Sequence, residues 1–213
     1  MRTIAILLVL FLAFVVLVVL FVVSGTYNIA AVEPQSAVVN QLFATLRDQS
    51  IARHSQDIQP PSLTDPALVQ SGFREYHSMC FSCHGAPGHK PSEIGRGLNP
   101  KPPQLDAEAV QVRGDAELYW IIKNGLRMTG MPAFGPIHEE KELWSIVAFL
   151  RRLPEMDAQA YDAMVEAAGL QEGGQMHAHT YERGRGDEEE RRAQQQAAMT
   201  TYTTSHILPG QTP

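Results

Sequence analysis

The chain has 213 residues and a formal net charge of −6, enough for one domain of ordinary size with extensions and too little for two well-buried cores. The charge is uneven: residues 66–155 carry ten Lys/Arg against ten Asp/Glu, and residues 156–213 carry four against nine. Nothing in this balance supplies the basic patch that nucleic-acid binding needs, so that class of partner is excluded.

The first element is an uninterrupted apolar run from Ile4 to Val23. As a helix it spans about 30 Å, the thickness of a bilayer's hydrocarbon core. A secretory signal has a shorter apolar stretch of about 7–15 residues, so length favours an anchor that stays on the chain, although Ser24-Gly25 and Ala30-Ala31 leave cleavage conceivable. Arg2 precedes the span, which places the amino terminus in the cytoplasm and the chain beyond the span outside it. Within the linker, Val38, Val39, Leu42, Phe43 and Leu46 recur at helical spacing and predict a short amphipathic helix. Its apolar face has three possible partners: the domain that follows, the bilayer surface or another protein. His54 and Asp57 lie on a polar stretch after it and read as solvated surface.

The next helix is predicted over Pro66–Met79, with Asp65 as its N-cap and proline in its first turn. It runs into Cys80-Phe81-Ser82-Cys83-His84, which holds both cysteines of the chain. Cys-x-x-Cys-His is the attachment signature of a c-type haem. At helical pitch the two sulfurs sit about one turn apart, as two thioether links to one porphyrin edge require, and the histidine lies where it can bind the iron. A thiol–disulfide pair would need a βαβ setting that the sequence lacks. A zinc site would need further thiolates or imidazoles, and no third cysteine exists.

Gly85–Pro103 is rich in glycine and proline and predicts an irregular loop around one side of the haem. A short helix is expected after Asp106, and a firmer one from Asp115 to Gly125 with Leu118, Ile121 and Ile122 as its stripe. Two methionines, Met128 and Met131, then lie in a glycine-flanked loop. The group that fills the iron's second axial position decides its chemistry: a thioether closes it and raises the reduction potential. Met131 is the better candidate, because Gly130 removes bulk beside the ring and Pro132 stiffens the loop. Met128 is the reserve. The last large helix is predicted from Glu139 to Leu153, stopping before Pro154, and a short one from Asp157 to Ala168. Beyond it the tail is polar and charged, with too few apolar residues for a core. His177 and His179 lack supporting ligands there and read as surface residues.

Residues 66–155 resemble class I c-type cytochromes, in particular the single-haem domains attached to haem–copper oxidases and to periplasmic dehydrogenases. The resemblance rests on Gly72-x-x-x-Tyr76 ahead of Cys80-x-x-Cys83-His84, the Gly130-Met131-Pro132-Ala133-Phe134 loop, and Trp144 with Leu150 in the final helix. It implies an all-α haem-wrapping fold in which the helix before the motif crosses the last helix at Gly72, with Tyr76 and Trp144 packing there. It also implies that a carbonyl from the Pro100–Pro103 stretch accepts the free N–H of His84. Covalent attachment through this motif is further a trait of exported bacterial proteins.

The expected organisation is a membrane anchor (1–25), a juxtamembrane linker (26–63), a cytochrome c haem domain (64–155) and a polar acidic extension, partly disordered (156–213). One covalently bound haem c is expected, attached through Cys80 and Cys83 and ligated by His84 and Met131. The expected role is a single-pass electron carrier of the bacterial inner membrane, not an enzyme. Its haem domain would lie in the periplasm and exchange electrons with an oxidase, a dehydrogenase or a soluble carrier. A subunit of a larger oxidase or dehydrogenase is the alternative. A haem enzyme or gas sensor would need a displaceable sixth ligand and distal polar groups, for which His89 is the nearest imidazole.

Overall fold

A computed structural model describes residues 2–33 and 36–170. Within them the chain forms α1 (Arg2–Val23), α2 (Ala37–Ser55), α3 (Pro66–Met79), α4 (Phe81–His84), α5 (Glu93–Gly97), α6 (Glu108–Gln111), α7 (Asp115–Asn124), α8 (Glu140–Leu150) and α9 (Ala158–Ala167), with a 3₁₀ turn over Leu153–Glu155. Among the described residues the only strand-like pairing is an isolated bridge between Ala86 and His89. The tail holding His177 and His179 lies outside the described residues, as does the expected disorder there.

α1 is long and apolar enough to cross a membrane, and none of the described residues buries it. The haem-motif region is instead organised around α8, where every residue from Leu143 to Leu150 is buried. A helix apolar on all sides must be surrounded; α3 and α7 pack against it, and α9 adds Tyr161 and Val165 to the same core. The closest approach is between α3 and α8. A Cβ on Gly72 would run into the backbone carbonyl of Ser145, so only glycine permits the helices to meet at this depth.

Local signals set these elements. Asp65 accepts from the N–H of Ala67 at the start of α3, with proline in the first turn. Glu142 accepts from the N–H of Glu139 to open α8, and Asp157 accepts from Ala160 to open α9. α8 ends at Leu150, short of the predicted Leu153. Pro154 disfavours α geometry at Leu153, and the chain tightens into the 3₁₀ turn. Arg151, just beyond, donates to the Asp115 carboxylate at 2.7 Å, to the Gln111 carbonyl at 2.8 Å and to the Arg113 carbonyl. One guanidinium thereby ties the α6–α7 turn to the end of α8.

Two expectations change. Trp144 stacks on Tyr119 of α7 at 4.1 Å, while the rings against Tyr76 are those of Phe149 and Tyr161. A flat indole packs better along a neighbouring ring than into a crossing narrow enough to need glycine. The predicted short helix in the linker is α2, nineteen residues long. Its far end is docked: Ile51 and Ser55 are buried, and Arg113 donates to Asp48 at 2.7 Å. His54 is exposed, as expected, and its ring rests 5.8 Å from Trp120 of α7.

Candidate functional site

α3 delivers the cysteine-histidine run. Cys80 caps α3 and α4 continues from it, with the N–H groups of Cys83 and His84 donating to the Cys80 carbonyl at 3.1 and 2.9 Å. Helical winding therefore places both thiols and the imidazole within one turn. Neither thiol is in a disulfide. Cys80 is buried, and burial, then the neighbouring Cys83 and Glu75, push its thiol up to about 12. A catalytic thiol–disulfide pair needs a stabilised thiolate, so this site does not suit that chemistry. Among the described residues no three His, Cys, Asp or Glu side chains gather as a zinc cage would require.

His84 Nδ1 lies 2.8 Å from the carbonyl oxygen of Pro103. A carbonyl can only accept, so Nδ1 carries the proton and the lone pair sits on Nε2. None of the described residues hydrogen-bonds that second nitrogen. Burial lowers the pKa of the imidazole, with the Pro103 bond opposing it. The neutral form, the one that binds a metal, is therefore favoured. This bond is the one the sequence resemblance implied, on the last proline of the 100–103 stretch.

The expected irregular loop contains α5, because the Ser92 hydroxyl accepts from Gly95 and caps one turn. α5 bridges the two halves of the site. A Cβ on Gly95 would meet the Cys83 backbone, and Leu98, at the other end, packs against Gly130. Met131 comes directly after Gly130 and is partly buried against the main core. Its loop is closed by the Leu126 N–H donating to the Met131 carbonyl, and by the Thr129 hydroxyl accepting from the Met131 N–H while donating to Leu126. Phe134 and Gly135 donate to the carbonyls of Ile122 and Lys123, anchoring the loop to the end of α7. Gly125, at φ 64°, sits tight against the backbone of Met131–Ala133. Met128 is 69% exposed with φ 61°. Of the two methionines, Met131 is thus the one turned into the fold.

Two thiols on one helical turn, an imidazole with its outer nitrogen fixed and its inner one free, and a half-buried thioether reached through α5 form a donor set that fits a c-type haem. His89, the imidazole considered for distal chemistry, has Nε2 2.8 Å from the Asp162 carboxylate and its ring against Phe81 and Tyr161, which commits it to α9.

Tyr161 is the principal residue that sequence reasoning missed. Its ring stacks on Phe81 inside the motif, at 5.8 Å and 12°. Its hydroxyl lies 2.9 Å from Nδ1 of buried His77. The one available signal was its apolar face in a capped helix.

The sequence model of the family described as "Cytochrome C oxidase, cbb3-type, subunit III" matches residues 67–150. A comparison with curated proteins finds no match.

Proposed function

We propose, from the premise that residues 67–150 are a class I c-type cytochrome domain of the kind found in haem–copper oxidases and carry one covalently bound haem c, that this chain is a membrane-anchored electron carrier. Its haem is attached through Cys80 and Cys83 and ligated by His84 and Met131. The haem iron supplies a one-electron couple between its ferric and ferrous states. The chain's own residues hold and tune that couple. The Pro103 carbonyl fixes the His84 ring and raises its basicity. The Met131 loop offers a thioether, which would hold the iron, favour its reduced state and keep small molecules from it. With His84 and Met131 both held in a packed fold, electron exchange would require little rearrangement. α1 tethers the domain to the bacterial inner membrane with the haem on the periplasmic side, as Arg2 ahead of the span favours.

The observation that carries this reading is the His84–Pro103 hydrogen bond, which commits one ring nitrogen and leaves the other for iron. The test is an optical and redox titration of the haem-loaded protein beside Met131→Ala and Met128→Ala. The Met131 variant is expected to lose the weak red methionine–iron band and to fall in potential, while the Met128 variant keeps both. The reverse result, or no change in either, overturns Met131 as the ligand.

A second reading makes the chain a subunit of a larger oxidase, and the description of the matching family favours it. Purification in mild detergent separates the two. Co-elution with an oxidase supports the subunit, and elution at monomer size supports the free carrier.

A further inference from the structure

α2 faces two ways. Its distal half turns Ile51 and Ser55 inward against α7. Its proximal half carries Val38, Leu42 and Leu46, spaced one helical turn apart and 80%, 64% and 63% exposed. At 100° per residue this stripe lies on the side of the helix opposite Ile51 and Ser55. The segment Ser36–Leu46 contains no Asp, Glu, Lys or Arg. Among the described residues nothing covers this outward apolar stripe on an uncharged half-helix.

We infer that this stripe beds α2 in the interfacial layer of the same bilayer that α1 crosses. The inference rests on the reading of α1 as a membrane span. The chain connects the two directly, and the reach suffices. Asn99 donates to the carbonyl of Ala31 at 2.7 Å, and the chain from Val23 to Ala31 extends at most about 28 Å. The loop carrying Asn99 is therefore held near the end of the span, with α2 starting a few residues further on. Ile29 and Val32, both exposed on the connecting segment, continue the apolar path from the span to the stripe. The stripe occupies only the half of α2 nearest the anchor, as a bilayer contact requires. Tethering also keeps the lipid surface at high effective concentration, which a second copy or a soluble partner would lack. The absence of charge suits a zwitterionic headgroup layer, where no ionised group has to be desolvated.

The consequence is orientation. The bilayer holds one face of α2, the other face grips α7, and the end of α7 holds the Met131 loop through Ile122 and Lys123. The haem domain would then present a fixed side to partners along the membrane.

With both native cysteines consumed by haem, Leu42→Cys and Gln56→Cys each introduce a single thiol for a spin label. Gln56 is exposed at the far end of α2. The full haem-loaded chain is reconstituted in phosphatidylcholine vesicles, with the iron reduced, and the accessibility of each label to oxygen and to a water-soluble nickel chelate is measured. The Leu42 label is expected about 5–10 Å below the phosphate level, with oxygen favoured over the chelate, and the Gln56 label in water. A water-like Leu42 label overturns the inference, as does one that is buried only through dipolar coupling to a second labelled copy. Alkaline carbonate extraction distinguishes the premise: release of the chain into the wash means α1 does not span, whereas retention with a water-like Leu42 label means α2 alone was misread.

Discussion

The two sides of the proposed haem site are built to different standards. On the His84 side, the motif helix continues α3, and α3 is locked to α8 at Gly72. Tyr76 donates from its hydroxyl to the Gly85 carbonyl at 2.6 Å, and Tyr161 and Phe149 close an aromatic wall behind it. On the Met131 side, one loop of irregular backbone carries the sulfur, held by glycine packing, a threonine hydroxyl and a few bonds to the end of α7. The comparison teaches where the fold's stability and the site's tuning reside. Perturbing the first side should cost the fold, and perturbing the second should cost the ligand while the fold remains.

Tyr161→Ala is expected to have the largest effect. It removes a ring that is 1% exposed and the hydroxyl partner of buried His77, at a cost of about 4 kcal/mol. Denaturant unfolding should show this loss and a reduced yield of haem-loaded protein. Tyr161→Phe, which keeps the ring, should lose only about 1 kcal/mol. If the alanine variant unfolds like wild type, α9 is an appendage and the wall behind the motif is dispensable. Gly72→Ala comes next. Its methyl group would displace the Ser145 carbonyl, and parting α3 from α8 costs about 3 kcal/mol. The thermal midpoint should fall while the optical band assigned to Met131 survives in the folded fraction.

Gly125→Ala tests the other side. Gly125 holds φ 64° with ψ −175°, a region almost closed to other residues, so alanine there costs about 1–3 kcal/mol, and its methyl group would press on the backbone of Met131–Ala133. The expected signature is a weakened methionine band and a lower potential, accompanied by only a small drop in midpoint. A collapse as severe as that of Tyr161→Ala would show that the Met131 loop carries the fold as well, and the contrast between the sides would fail.

Local chemistry explains which parts of this architecture the sequence made readable. Asp65 and Pro66 mark the start of α3 within a few residues, and the Cys80–His84 run is contiguous. Even the His84 bond to Pro103 was reachable through family resemblance. The features that escaped reading depend on distant partners. Tyr161 meets His77 across 84 positions. Trp144 finds Tyr119 because α7 runs alongside α8. α2 hides its length for a different reason: its two apolar faces occupy opposite sides of successive halves, so one period averages over them. α5 was masked by the surrounding glycines and prolines, although Ser92 alone suffices to cap it.

The smallest effect isolates electrostatics on the His84 side without touching its packing. Glu75 is half-buried on α3. Its pKa is raised by that burial first and by the nearby Glu142 carboxylate second, with His138 opposing. A carboxyl raised in the folded state binds its proton more tightly there than in the unfolded chain. Stability is therefore lost as pH rises from the unfolded pKa through the folded one, and below both the penalty disappears. Replacing the carboxylate by an amide removes a cost that exists only in the ionised form. Glu75→Gln should accordingly stabilise the protein at neutral pH by less than about 1 kcal/mol after solvent screening. The gain should shrink as the solution is acidified through the ordinary carboxylate range, and the haem spectrum should stay unchanged. Paired thermal melts at neutral and acid pH read this directly. A gain that persists at acid pH would trace the effect to packing at the α3–α8 crossing, and a shift in the methionine band would show that the two sides of the site are coupled through α3.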